Sequence, residues 1–234
     1  MKPQDGGPKE HPIRSLMDGF SFVFTHKIIR AVVALGTLEA VTKSIRILFP
    51  ALAATAFGGG AFEVGLMYAA VPVGSTLGAL TSGWVRHAKR PGVVMLFTAF
   101  LSFLCVAALG FMGHLVVMLL ALAVFGYLGS IGGLLQYTIV QGHTPDHMLG
   151  RIGSFWTAQD VVGDSAGALG IGALVKVLSP IMGLVALGFG CAAATVLLSV
   201  GNRSLRNVSL IDTTLFPDDD VAEKETLQAK DATA

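Results

Sequence analysis

The stretch that decides the reading is Met148-Leu149-Gly150-Arg151-Ile152-Gly153-Ser154-Phe155-Trp156-Thr157-Ala158-Gln159-Asp160-Val161-Val162-Gly163-Asp164-Ser165-Ala166-Gly167-Ala168-Leu169-Gly170. It reads as a membrane helix that opens on an arginine and carries two carboxylates deep inside. Thr157, Asp160, Asp164 and Gly167 recur at i, i+3, i+7 and i+10, one face of an α-helix, while the other faces are apolar or small. A carboxylate in hydrocarbon costs several kcal/mol, so both must face protein or a water-filled cavity.

The rest of the chain puts that helix in a bilayer. Of 234 residues, 53% are hydrophobic and only 13% charged, and the mean hydropathy is +0.70. A water-soluble domain of this size needs a far more charged surface. The apolar residues come in blocks, and about 18 in a row are enough to span a membrane. Six blocks are expected to do so, at residues 28–54, 64–85, 92–112, 115–140, 152–175 and 181–200. The chain is therefore expected to be an all-α membrane protein with six transmembrane helices. Residues 1–27 read as a cytoplasmic linker with a short amphipathic piece (15–25), residues 28–200 as the transmembrane domain, and residues 201–234 as a cytoplasmic disordered tail. That tail holds seven acids against two lysines from residue 212 on. No signal-type apolar run opens the chain.

Lysine and arginine set the orientation. With the first residue inside, Lys176 is the only one of the sixteen to fall in an outer loop, and Lys43 and Arg46 lie within the first span. The positive-inside rule then puts both termini in the cytoplasm.

The first span is unusual. Glu39, Lys43 and Arg46 lie at i, i+4 and i+7, and Pro50 follows, whose ring clashes with the carbonyl of residue 46. A kink is expected there, with a carbonyl left free beside the arginine. Glu39 and Lys43 lie roughly 13 and 19 Å along the helix from Arg30, and Asp160 and Asp164 stand at similar heights above Arg151. Lys43 or Arg46 is thus expected to pair with Asp164, and Lys43 also with Asp160. Two carboxylates one turn apart repel each other and give up their protons in separate steps, so a cation that comes and goes would couple the site to protons. The plainer alternative is a fixed ion-pair cluster that pins two helices together.

Other features carry weaker signals. Gly74-xxx-Gly78, Gly129-xxx-Gly133 and Gly163-xxx-Gly167 allow close helix contact. The third and sixth spans hold no charge and read as lipid-facing supports. Arg86, Arg90 and Arg151 stand at loops that could gate access. Tyr68, Tyr137, Phe155 and Trp156, with Phe49, could stack on a flat ligand, although packing accounts for each alone. His143-Thr144-Pro145-Asp146-His147 has metal-ligating residue types, but the proline breaks any shared helix face and no further ligand pair follows. Cys105 and Cys191 lie mid-span and read as small apolar residues. No metal site, cofactor motif, nucleophile–base arrangement or nucleic-acid-binding feature is read, so the expectation is not an enzyme.

The Gly78-Ala-Leu-Thr-Ser-Gly83 turn after the second span and the Pro145-x-x-x-x-Gly150-Arg151 loop before the fifth resemble the C-terminal half of a major facilitator superfamily transporter. Arg46-Ile-Leu-Phe-Pro-Ala-Leu-Ala53, Tyr68-Ala-Ala-Val-Pro-Val-Gly74, Arg90-Pro-Gly92, Leu135-Gln-Tyr-Thr138, Met148-Leu-Gly-Arg151 and Trp156-Thr-Ala-Gln159 with Gly163-Asp164 are similar to the siderophore-exporting members, over about residues 11–200. The resemblance implies one six-helix half of the fold, export of a catecholate siderophore, and proton antiport. It carries Arg46 and Asp164 over as cavity residues, whereas Glu39, Lys43 and Asp160 depart from the pattern. It also implies a second half, either a separately made N-terminal half or a second copy of this chain. Multidrug efflux and a non-transporting truncated half are the rival readings.

Overall fold

The computed structural model describes residues 23–208, apart from Pro145 and the side chains of residues 86, 146 and 147. The linker, most of its amphipathic piece and the acidic tail therefore lie outside the described residues.

The described residues fold into helices without strands. The first span is broken in the middle. α1 (Lys27–Lys43) passes into a 3₁₀ turn (Ser44–Leu48) and then into α2 (Phe49–Phe57). Pro50 fits the break, because it falls in the first turn of α2, where its missing N–H costs nothing, whereas inside a continuous helix it would remove a ladder hydrogen bond. Gly58, at φ 59°, ends α2 in the left-handed conformation that a glycine adopts without strain.

α3 (Ala61–Thr81) follows, with Glu63 accepting from the Gly60 N–H at 2.6 Å to satisfy its first turn. It ends in a 3₁₀ turn, Ser82–His87. Then come α4 (Pro91–Leu109), α5 (Leu115–Gly142), α6 (Asp146–Val177), α7 (Pro180–Gly201) and the short α8 (Arg203–Arg206). α6 starts six residues ahead of the expected block, as a helix initiated just after Pro145 would.

Among the described residues, four helical stretches are long and apolar enough to cross a membrane: Ala61–Val85, Pro91–Leu109, Leu115–Gly142 and Pro180–Gly201. The expected first and fifth spans do not meet that measure. One is interrupted at residues 44–48, and the other carries Arg151, Asp160 and Asp164 among its apolar residues.

Helices pair along two seams. α3 lies against α5, and α1 against α6, while α4 packs between α5 and α7. Close backbone approach marks both seams. A Cβ on Gly74 would lie 1.8 Å from the Ala123 carbonyl oxygen, and one on Gly126 2.1 Å from that of Val71. A Cβ on Gly163 would meet Ala40 at 2.6 Å, and one on Gly167 would meet Ser44 Oγ at 2.5 Å. Small residues thus let these backbones touch, the means by which helices associate where no hydrophobic effect separates protein from lipid.

Two expectations are corrected here. Gly129 and Gly133 are not a contact, since a Cβ on either meets nothing within 4 Å. The close residue on α5 is Gly126, one turn earlier. α4 is also more than a lipid-facing support. It buries Met95, Ala99, Phe103, Val106 and other residues, whereas α3 buries only Met67, Gly74 and Gly78. An uncharged helix has no polar face to mark its outside, so its sequence looks alike whether lipid or protein surrounds it.

Candidate functional site

A cavity of about 490 Å³ opens between α1 with its 3₁₀ turn, α3, α4, α5 and α6. Its charged wall is built by the break in the first span. Lys43 ends α1 and Arg46 lies in the 3₁₀ turn, so both side chains reach the α6 seam. Lys43 Nζ stands 3.0 Å from Asp160 Oδ1, and Arg46 Nη2 donates to Asp164 Oδ2. The Ser44 hydroxyl lies 2.9 Å from the other Asp164 oxygen and 2.8 Å from the Asp164 carbonyl oxygen.

The Gly163 and Gly167 contacts bring the helices near enough for these pairs to form. The paired side chains remain 36–53% exposed. Lys43, Arg46 and Asp160 line the cavity, so each cation can be taken by another anion, while Asp164 holds Arg46 from beside it and is not among the lining residues. An exposed pair of this kind stabilises a fold only weakly.

The third carboxylate is held differently. Glu39 Oε2 accepts from Gln136 Nε2 at 2.8 Å, and Glu39 has no ion pair among the described residues. It lies against α5 at Gly132, where a Cβ would come within 3.3 Å of Glu39 Oε1. Gln159 closes the same end of the cavity. Its Nε2 donates to the Val33 carbonyl at 2.8 Å and to Thr37 Oγ1 at 3.0 Å, while its buried Oε1 has no partner.

The aromatic wall has other members than expected, since Phe103 and Phe125 line it along with Phe49. Tyr68 and Trp156 line the cavity, and Phe49 meets Tyr68 edge to face with centroids 5.1 Å apart. The Tyr68 hydroxyl donates to the Arg46 carbonyl at 3.1 Å. This is the carbonyl expected to be free beside Pro50. It also accepts the Phe49 N–H, as a 3₁₀ turn provides. Tyr137 is 59% exposed and does not line the cavity, and Phe155 packs against the buried cluster of Ile29, Leu35 and Met95 instead. Thr157 is exposed and bonds its own helix at the Gly153 carbonyl, whereas Gln159, which reaches Val33 and Thr37 on α1, shares the cavity wall with Asp160.

Arg90 and Arg151 are not among the lining residues. Arg90 caps the start of α4, and the side chain of Arg86 lies outside the described set. His143 is buried with Nδ1 2.8 Å from the Ile139 carbonyl, one turn back on its helix. Among the described residues no three His, Cys, Asp or Glu side chains come together as metal ligands.

Sequence reasoning missed Ser44 and the structural role of Gln159, and also the small wall of α5 at Gly126, Gly129, Ser130 and Gly133. The spacing of those α5 residues, three or four apart, was visible. Whether a small-residue stripe meets a helix or faces space is not encoded in the spacing.

The arrangement gives two cations on one wall, aromatic faces opposite, and carboxylates that hold the cations when no other anion does. The profile described as transmembrane secretion effector matches residues 1–228. The chain is similar to the enterobactin exporter EntS of Shigella boydii serotype 18, with 42% identity over 191 residues, covering 82% of this chain and 46% of that protein. It is similar to the enterobactin exporter EntS of Escherichia coli K12 at 41% over 200 residues, covering 86% of this chain and 48% of the relative. The chain thus spans about half the length of the curated relatives it matches.

Proposed function

We propose, from the premise that this chain belongs to the transmembrane secretion effector family of the major facilitator superfamily, that it forms a six-helix half of a proton-coupled exporter for a catecholate siderophore of the enterobactin type. The observation that carries this reading is the pairing of Lys43 with Asp160, and of Arg46 with Asp164 beside it, at a cavity lined by Lys43, Arg46 and Asp160 together with Tyr68, Phe49 and Trp156. A catecholate is flat and anionic. Its ring suits the aromatic faces, and its oxygens suit the guanidinium and ammonium groups.

In this reading the broken first span and α6 cross the bilayer along with the four more apolar helices. Their charges are tolerated because they face each other and the cavity. The basic ends of the helices, with Lys27, Arg30, Arg90, Arg151 and Arg203, face the cytoplasm of a bacterial inner membrane, and both termini lie on that side. A separate N-terminal half or a second copy of this chain completes the translocation path, and Arg86, Arg90 and Arg151 belong to its cytoplasmic gates.

Proton coupling follows from charge exchange. When the siderophore takes Arg46 and Lys43, Asp164 and Asp160 lose their cations, and a carboxylate changes its hold on a proton when its counter-ion leaves. Asp164 is assigned the main proton-carrying role, with Asp160 beside it. Glu39, bonded to an amide and to no cation, is the third member of the set.

The test uses iron-starved cells lacking the native exporter but still making the siderophore. The chain is supplied alone or with an N-terminal half, and intact siderophore is quantified in medium and cytoplasm by mass spectrometry. Restored export in either arm supports the reading. Cytoplasmic accumulation in both, where a full-length exporter restores export, overturns it.

A further inference from the structure

A second concavity lies on the opposite, outer wall of the molecule. This groove of about 240 Å³ follows the α4–α7 seam. Val93, Leu96, Phe97 and Phe100 form one stripe of α4, and Thr195, Val196, Ser199 and Val200 face them from α7. Phe97 is 63% and Val200 67% exposed, so the groove opens outward. From Val93 to Phe100 it extends about 10 Å along the helix. The Thr195 hydroxyl is satisfied by the Cys191 carbonyl at 2.9 Å, which leaves the floor apolar.

One end of the groove is closed by a cation. α7 stops at Gly201, and α8 turns back under the bundle, so that Arg206 joins the lining. This placement is built into the fold. Leu205 is fully buried, and its carbonyl oxygen lies so close to Gly92 that a Cβ there would stand 1.8 Å away. Arg206 has no carboxylate partner among the described residues. The α4 N-terminus adjoins it and adds the positive end of a helix dipole. Arg203 and Arg90 lie on the same end of the bundle.

In a bilayer, such a groove is occupied by lipid tails, and the unpaired arginine at its mouth selects the headgroup. We propose that this groove is a binding site for an anionic phospholipid of the leaflet at the basic end of the helices. One acyl chain lies along Leu96, Phe97 and Phe100, and the phosphate is held by Arg206. Basic pockets between membrane helices suit this class of ligand. The inference rests on the helices lying in a bilayer and is independent of siderophore export.

The test places a reporter in the groove. The full chain carrying Phe97→Trp is reconstituted in vesicles of phosphatidylcholine and phosphatidylglycerol, one of the two carrying dibrominated chains that quench tryptophan. Quenching of the emission added over the parent chain measures which lipid sits in the groove. Brominated phosphatidylglycerol should compete for the groove about fivefold better than brominated phosphatidylcholine, as one arginine beside an anionic lipid gives. Arg206→Gln in the same background should abolish the preference and leave quenching by both lipids, and Arg206→Lys should keep it. Circular dichroism checks that each variant is folded. No preference in the Phe97→Trp chain overturns the proposal, and that is also the result expected if the acidic tail of this chain, Asp218-Asp219-Asp220, neutralised Arg206 instead. A preference that survives Arg206→Gln overturns it as well.

Discussion

Lys43 and Asp160 face each other 3.0 Å apart across the α1–α6 seam, one turn from the Arg46–Asp164 pair, so two ion pairs stitch the same two helices at the wall of the cavity. Both pairs are partly exposed, and both cations line the cavity, which makes the cations exchangeable. If they were only a staple, reversing a pair would preserve everything. If they handle substrate, the direction of the charge matters.

Reversal of the Lys43–Asp160 pair separates these roles. Lys43→Asp alone places two carboxylates together and should lower both stability and export. Combining it with Asp160→Lys should restore thermal stability to within about 0.5 kcal/mol of the parent, since exposed pairs contribute little net energy. Export should remain at least tenfold down, because the cation has moved to α6. Thermal unfolding and mass-spectrometric quantification of exported siderophore measure the two effects, and full recovery of export would leave the pair a structural role only.

Asp164→Asn keeps the shape and most hydrogen bonds, including that from the Ser44 hydroxyl. The folded state should survive with a loss of about 1 kcal/mol or less, as for a partly exposed pair. Export driven by an imposed proton gradient should be lost. Normal gradient-driven efflux in vesicles would remove Asp164 from the proton path.

Pro50→Ala lets the α-helical ladder run from α1 into α2. Residues 44–48 would then rewind from 3₁₀ to α, turning Arg46 away from Asp164 and releasing its carbonyl from the Tyr68 hydroxyl. Stability should hold or rise, because proline in a helix is costly elsewhere. Export should fall at least tenfold. Unchanged export would show that the break has no part in placing the cation.

Gly74→Val would force a side chain into the Ala123 carbonyl, with its Cβ starting 1.8 Å away. Overpacking of this kind costs about 1–3 kcal/mol or more, and the backbone contact leaves nothing flexible to move. Gly129→Ala, on a stripe of the same appearance, meets nothing within 4 Å and should leave thermal stability unchanged or slightly raised. A matched pair of melting curves decides whether the two glycines differ as stated.

Much of this protein was legible in its residues. Apolar blocks, few charges and one-sided basic loops identify a helical membrane protein, because hydrocarbon leaves backbone polar groups no other partners. Two aspartates on one face of α6, and three charges on one face of the first span, mark the two helices that must meet, because unpaired charges are too costly in that setting. The proline at residue 50 announces the break. The tertiary structure decided what spacing cannot express. Gly129 lines space and Gly126 touches α3, although both are glycines on the same helix. Uncharged α4 lies between α5 and α7, and the more polar α3 lies outside. Glu39 ends on Gln136 rather than on Lys43, because Lys43 reaches across to Asp160. Periodicity specifies which residues share a face. Which neighbour that face meets depends on how the helices assemble, and in this chain backbone contact at glycines governs that assembly.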